Sequence, residues 1–351
     1  MKKYRMGIIG AGVIAFEDSV DKTHEYWVAP SYPSTHFHSF STMNEIELVA
    51  VADINQDALK KVQDTFGLRT YSNYMEMIST EKLDIVSVAT PVATHKMILK
   101  ELLGTPLLGI FCEKPLVDNL ADAKELAQAF SKSSIKVVVD IYRNYDALHL
   151  KVLKMVQEGK IGALDTMFFQ WEETGIQECG THAIGLSHLF ASPLSPKRVL
   201  CATNQDAPGE PYGTDESGSI MLEYENNVRS MIWVPKRGVR HMDEAKFIGS
   251  EGYIRVGKYV SEHVQWEQYG KRIYDVLPVV KPLPTRSFGK SPLQNGMKAL
   301  LDAIEKNSQP HTGIPEALNV LEVVVASLVS SKEKKWVDFP LDSKYDSLRI
   351  Y

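Results

Sequence analysis

The chain has 351 residues, with 39 lysines and arginines against 44 aspartates and glutamates, and three cysteines. A net charge of −5 gives no pull toward nucleic acid or anionic lipid, so neither is expected as a partner. Cys112, Cys179 and Cys201 are too few and too scattered for a disulfide framework or a zinc knuckle. MKKYR runs into the glycine-broken MGIIGAGVIA without a longer apolar core or a cleavage site, and no run of ~18 apolar residues is read, so a cytoplasmic location is expected.

Along the first part of the chain, short apolar runs alternate with helical patterns, which predicts strand–helix–strand units and a parallel sheet. Strands are expected at 6–12, 46–53, 84–90, 109–114 and 136–141, and helices over 56–66 and 119–130. Leu48-Val49-Ala50-Val51-Ala52 is continuous rather than alternating, as in a strand covered on both faces. Beyond about residue 145, alternating segments appear at 166–173, 217–234 and 244–256, with Asn226-Asn227 as a tight turn. They predict an antiparallel sheet. Helices follow at 293–306 and 315–330, with Pro315 at a first helical position, and 278–292 reads as an irregular surface loop. The expected domains are 1–142, α/β with a parallel sheet, and 143–351, α+β with a large, mostly antiparallel open sheet.

Gly10-Ala11-Gly12-Val13-Ile14-Ala15 directly follows the first strand and matches the G-x-G-x-x-A dinucleotide fingerprint. The first glycine makes the turn, the second lets backbone approach a pyrophosphate at the helix start, and Ala15 permits close helix–sheet packing. Asp53 closes the second strand, where a carboxylate accepts from ribose hydroxyls and repels a 2′-phosphate, and neighbouring Ile54 supplies no positive charge. NAD(H) is therefore favoured over NADP(H). Asp53 comes later than the usual spacing of ~20 residues, which places an insertion over 16–35. Its Tyr26, Trp27 and Tyr32 serve either as a lid on the cleft or as an arm in subunit contact.

Two further segments end parallel strands, where ligands of open α/β sheets bind: Thr90-Pro91 with His95, and Cys112-Glu113-Lys114-Pro115. With the fingerprint, VATPVATH, CEKPLVDNLADAKEL, EGKIG (158–162) and FIGSEGYIRV (247–256), the sequence resembles the Gfo/Idh/MocA oxidoreductases over nearly its whole length. The resemblance implies a Rossmann domain, a larger sheet domain that forms homodimers or homotetramers, and a sugar, inositol or related polyol as substrate. It implies Lys114 as the catalytic lysine and His182 as the active-site histidine. Glu178 stands where the family usually has aspartate, and Gly185 where it has a second aspartate.

The chemistry agrees with that reading. Oxidising a secondary alcohol requires a base near the hydroxyl and a charge facing the developing alkoxide. His182 is read as the proton-transfer group and Lys114 as the group that orients and polarises the oxygen, with the exchanged roles as the alternative. Glu178 and His182 share a face if they lie on one α-helical turn. Trp171 either stacks on a sugar ring or packs in the sheet. Arg143, with Asn144, follows the last parallel strand and either contacts substrate or forms a structural ion pair. His36 and His38 are either metal ligands on an extended segment, with no third ligand evident, or part of a helix opening, and no metal is expected. The other readings of the same residues are an NAD-dependent glycosidase or lyase with transient redox at the sugar, and a dinucleotide-binding sensor without turnover.

Overall fold

Continuous apolar runs become the inner strands of a parallel sheet. A computed structural model describes residues 3–16, 35–170, 175–203, 217–234, 244–257, 264–269, 281–283 and 291–350. Trp171, residues 17–34 of the insertion and most of the 278–292 loop lie outside the described residues. The chain falls into two compact units, Met1–Tyr145 with Lys290–Leu318, and Asp146–Gly289 with Asn319–Tyr351.

In the first unit β1 (Tyr4–Ile9), α1 (Val13–Phe16), α2 (His36–Ser41), β2 (Ile46–Ala52), α3 (Gln56–Phe66), β3 (Arg69–Tyr71) and α4 (Tyr74–Glu81) follow in order. They lead to β4 (Ile85–Val88), α5 (Val92–Leu102), β5 (Gly109–Cys112), α6 (Leu120–Phe130) and β6 (Lys136–Val139). The sheet order is β3-β2-β1-β4-β5-β6, parallel throughout. Every residue of β4, β5 and β6 is buried, as continuous apolar strands require. The first strand ends earlier than expected because Gly10, at φ 105°, leaves the extended ladder. Helix α3 takes the predicted bounds: Asn55 accepts from the Asp57 and Ala58 N–H groups, and Gly67 ends the helix in the left-handed region.

The second unit holds α7 (Ala147–Gln157), β7 (Leu164–Gln170), α8 (Thr181–Ala191), β8 (Pro196–Thr203), β9 (Gly218–Tyr224) and β10 (Arg229–Val234). Then come β11 (Glu244–Gly249), β12 (Gly252–Gly257), β13 (Val264–Gln268) and β14 (Lys281–Leu283). Next are α9 (Pro292–Lys306), which rejoins the first unit, α10 (Ile314–Glu333), which passes from the first unit to the second, and β15 (Val337–Asp338). Among the described residues the sheet order is β14-β13-β12-β11-β7-β10-β9-β8-β15, antiparallel except for the β7–β10 pair. Asn226 and Asn227 adopt φ of 60° and 62°, making the tight turn between β9 and β10 that their side chains favour. Phe190 of α8 stacks on Phe247 of β11 at 3.9 Å, and Ser330 Oγ of α10 accepts from the Cys201 N–H, tying β8 to the helix. Pro315 sits second in α10, since the helix begins at Ile314. That helix alone, among the described residues, is long and apolar enough to span a membrane, and 67% of its apolar window is buried, as in a core helix.

A single cut at 142/143 omits the return of α9 to the first unit. Ser291 and Gln294 form a capping box with Pro292 behind it, which starts the helix sharply. Its Leu293, Met297, Leu300 and Leu301 then pack on Phe111, Val138, Phe40 and Met6. Gly109 and Gly296 let this helix approach closely: a Cβ on Gly109 would lie 2.9 Å from Ile304 Cδ1, and one on Gly296 3.1 Å from the Tyr145 ring. Phe111 is fully buried at the centre of this cluster. Phe111→Ala is expected to cost about 3–5 kcal/mol, read as a lowered urea midpoint for the first unit.

Candidate active site

All strands of the first sheet run the same way, so the segments that follow β1, β2, β4, β5 and β6 emerge at one edge. That edge gathers most of the residues singled out in the sequence. Gly10 turns the chain against the next strand: a Cβ there would lie 2.4 Å from the Ala89 carbonyl oxygen. Gly12 has nothing among the described residues within 4 Å of the place a Cβ would take, leaving a bare backbone surface. Ala15 is fully buried against Ile8, Val51 and Leu59, while Val13 and Ile14 are exposed. Asp53 accepts from the Ala11 N–H at 2.6 Å and from the Asn55 N–H at 2.8 Å, so one carboxylate fixes the glycine loop and the end of β2. Ile54 beside it is 92% exposed, open to a flat apolar group. A tight turn, a bare backbone cradle and an anchored carboxylate fit a dinucleotide.

Pro91 caps α5, and Thr94 Oγ1 bonds Thr90 Oγ1 and the Pro91 carbonyl, each at 2.8 Å. His95 is buried, with Nε2 at 2.8 Å from the Thr90 carbonyl and Nδ1 at 3.0 Å from the Pro115 carbonyl. It therefore serves the site from beneath, by tying the Thr90 loop to the loop that carries Lys114. Lys114 is half-buried immediately after β5.

Glu113 turns inward. Its Oε1 accepts from His36 Nε2 at 2.8 Å, and its Oε2 accepts from the Lys114 N–H at 3.2 Å. Burial pushes the Glu113 carboxyl up, yet the His36 hydrogen bond and the charges of His36, Lys114 and His95 outweigh it and hold the group below its ordinary range. His36 Nδ1 meets Ser87 Oγ at 2.6 Å. Cys112 is buried with its thiol pushed well up, by burial first and then by Glu113 and Asp140, so it is an inert thiol. Arg143 lies in the 3-10 turn Tyr142–Tyr145 with its guanidinium 4.8 Å from the Tyr142 ring, and Asn144 Nδ2 meets His311 Nε2 at 3.3 Å.

The two histidines before β2 do not share an extended segment. Both lie on α2, where positions two apart point in different directions. His36 is fully buried against Glu113, while His38 Nδ1 meets the N-capping Thr35 hydroxyl at 2.8 Å. Partners for His36 that the local sequence does not offer arrive from β5 and β6: the donor atoms of His36, Glu113 and Asp140 lie within 4.8 Å of one another. Within the cluster His36 and Glu113 bond each other directly. Asp140 went unread because it ends the apolar run KVVVDI as a strand residue would. Its signal is an acid at the same strand-end level as Glu113.

In the second unit, Ile176–Gly180 forms a π-helical turn that passes into α8. His182 stands in the first turn of α8 and is 3% exposed. Glu178 lies within the π turn, and its side chain is outside the described residues. The four residues from Glu178 to His182 therefore span a π turn and the start of α8 rather than one regular α-helical turn.

Residues 4–141 match the family model GFO_IDH_MocA, described as an oxidoreductase family with an NAD-binding Rossmann fold. The Rossmann unit of this chain belongs to the Gfo/Idh/MocA oxidoreductase family. The D-apiose dehydrogenase of Paraburkholderia graminis is 23% identical to this oxidoreductase over 336 residues, covering 88% of this chain and 87% of that protein. An inositol 2-dehydrogenase of Rubrobacter xylanophilus is 30% identical over 134 residues, 38% of each chain. Among solved structures, the aldose-aldose oxidoreductase of Caulobacter crescentus complexed with glycerol superposes with a TM-score of 0.79 at 16% identity, covering 96% of this chain and all of that one, a likeness of fold. The chain is thus an oxidoreductase with an NAD-binding Rossmann unit followed by a mostly antiparallel sheet unit.

Proposed function

We propose that this oxidoreductase moves a hydride between the nicotinamide of NAD(H) and a secondary alcohol or ketone of a sugar, inositol or related polyol. The observation that carries the reading is that Lys114 follows β5 at the same sheet edge as the Gly10–Gly12 loop after β1 and Asp53 after β2. When bound there, the nicotinamide supplies the hydride acceptor. The substrate class is supported by the relatives named dehydrogenases of apiose and inositol.

Loss of hydride from carbon requires loss of the hydroxyl proton. His182 takes that proton and Lys114 orients and polarises the oxygen, with the exchanged roles as the alternative. Glu178 assists from the turn before His182, and Arg143 with Asn144 contributes at the substrate side of β6. Trp171 is proposed as a sugar-stacking residue. Thr90, Pro91 and Glu113 frame the nicotinamide end. Two buried free thiols, Cys112 and Cys201, suit a reducing, cytoplasmic setting.

The choice of NAD over NADP rests on Asp53. Its carboxylate is held in place by two backbone N–H groups and would face a 2′-phosphate as a like charge. Asp53→Asn keeps an acceptor and removes the charge. The ratio of kcat/KM for NADP⁺ to that for NAD⁺ is expected to rise about tenfold or more, the value of ~1.4 kcal/mol of relieved repulsion.

The sheet of the second unit presents an apolar row on one face: Phe168, Met231 and Trp233 are 39%, 37% and 39% exposed, with Met231 paired to Phe168 in the ladder. Large apolar residues in register on an open sheet face support a homodimer or homotetramer. Phe168→Glu is expected to reduce the sedimenting species to a smaller one.

The reaction is tested by nicotinamide absorbance with NAD⁺ across polyols, aldoses, uronic acids and nucleotide sugars. Reduction with at least one of them supports the proposal. Tight NAD binding with substrate conversion but no net reduction would replace it with the glycosidase or lyase reading, and binding without any conversion with the sensor.

A further inference from the structure

The acid beside Glu113 has no place in the chemistry above, although it lies within reach of Lys114. Glu113 and Asp140 are the first residues beyond neighbouring parallel strands, whose last paired residues are Cys112 and Val139. The Asp140 N–H donates to the Cys112 carbonyl at 2.8 Å and the Glu113 N–H to the Val88 carbonyl at 2.9 Å, which holds both acids at one level. The two-residue period of a strand then puts Ser87, Glu113 and Asp140 on the face that carries Phe111 and Val138. Helix α2 packs on that face through Phe40 and lays His36 against Ser87 and Glu113. His36 is 0% and Asp140 3% exposed.

The geometry of this cluster calls for one extra proton. Glu113 accepts from His36 on one oxygen and from the Lys114 N–H on the other, and an oxygen of buried Asp140 lies within 4.8 Å of the Glu113 carboxylate. Two carboxylates buried this close cannot both ionise without strong repulsion, which a shared proton removes. Asp140 Oδ1 is buried with no partner among the described residues, which suits the carbonyl oxygen of a neutral acid and would be costly for an anion. We propose that Asp140 is a positioning residue for Lys114: it stands as a neutral acid that shares one proton with Glu113, so the pair presents a single negative charge to the lysine. This inference rests on the exchanged-role reading, in which Lys114 takes the proton of the substrate hydroxyl.

The surroundings push the two acids apart in the sense required. Burial, the Glu113 charge and the Glu113 hydrogen bond drive Asp140 well above the ordinary carboxyl range against the opposing Lys114 charge, whereas Glu113 is held low by His36, Lys114 and His95. The titratable groups facing the pair are His36 from α2, His95 from α5, Cys112 on β5, Lys114 after it, and Tyr145 from the 3-10 turn. A second ionised carboxyl there would hold Lys114 protonated more firmly and blunt its ability to exchange a proton with substrate oxygen. The shared proton prevents this.

Two measurements test the proposal. Infrared spectra of the NAD-loaded protein at neutral pH, with and without aspartate-specific ¹³C labelling, are expected to show a buried protonated-carboxyl band that moves on labelling and is lost in Asp140→Asn. This needs no substrate, so it stands apart from the Lys114 reading, which fails separately if Lys114→Ala keeps full turnover. In the pH profile of kcat/KM, Asp140→Ala removes the donor to Glu113, and the acid limb is expected to move up by about one pH unit. Asp140→Asn, which keeps a neutral donor, is expected to return the limb to its wild-type place, a rescue that mere loss of packing would not show. Absence of the aspartate band, or an acid limb that moves alike in both variants, would overturn the proposal. Activity lost to a chelator and restored by zinc would overturn it too, by placing an ion where the proton is assigned.

Discussion

Lys114→Ala is expected to lower kcat by ~10³-fold while NAD⁺ binding changes only a few-fold. Positioned acid–base groups contribute about 10²–10⁴ in rate. Cofactor affinity, by contrast, is set by the Gly10–Gly12 loop and Asp53, which sit at other strand ends and are held by their own backbone contacts. Lys114→Arg keeps the charge but replaces the compact ammonium with a bulkier planar fork that does not fit the same point, and it is expected to recover little of the rate. Steady-state kinetics beside NAD⁺ titration by protein fluorescence separates the two quantities. Equal loss of binding and turnover would reassign Lys114 to holding the cofactor.

Gly10→Ala is expected to weaken NAD⁺ binding by about 100-fold or more and to lower the thermal midpoint. Its φ of 105° is unfavourable for any residue with a Cβ, at about 1–3 kcal/mol. The added carbon would also lie 2.4 Å from the Ala89 oxygen and 2.8 Å from the Ala89 carbonyl carbon. Ala89 cannot retreat easily, because its N–H donates to the Ile9 carbonyl at 2.8 Å and belongs to the β1–β4 edge. Relief comes from moving the glycine loop itself, which displaces the surface that a pyrophosphate would occupy. Gly12→Ala is the informative partner. With nothing among the described residues within 4 Å of its Cβ, it is expected to melt like the parent protein yet bind NAD⁺ more weakly, because the methyl group would stand in the cradle. If Gly12→Ala binds NAD⁺ as tightly as the parent, the pyrophosphate does not lie there.

What could be read in the sequence was local. Ile46–Ala52, Gly109–Cys112 and Lys136–Val139 lie within expected strands because continuous apolar runs admit few other fates between turns. Arg69–Tyr71 was not among them, since one exposed and two half-buried residues at a sheet edge carry no apolar pattern. The amphipathic pattern of α9 was legible, but not that it would pack on the first sheet, because Phe111 and Val138 select it across the chain. The site divides in the same way. The glycine fingerprint, Asp53 and the Glu113-Lys114 pair are short strings whose context lies within a few residues. The His36 network joins residues 51 and 77 positions apart, and no periodicity announces it. Asp140 acquires meaning only from the register of β5 with β6. The π turn before His182 was hidden too, since π and α turns draw on the same residue types.

The most direct test of the account is the fate of hydrogen in a single turnover. Once absorbance has found a substrate, its reacting carbon is deuterated, the enzyme is mixed with limiting NAD⁺, and the nicotinamide is analysed by mass spectrometry. Direct hydride transfer at the sheet edge predicts reduced nicotinamide carrying one deuterium, formed in step with the ketone and about 10³-fold more slowly with Lys114→Ala. Product formed while the nicotinamide never acquires the label would contradict it.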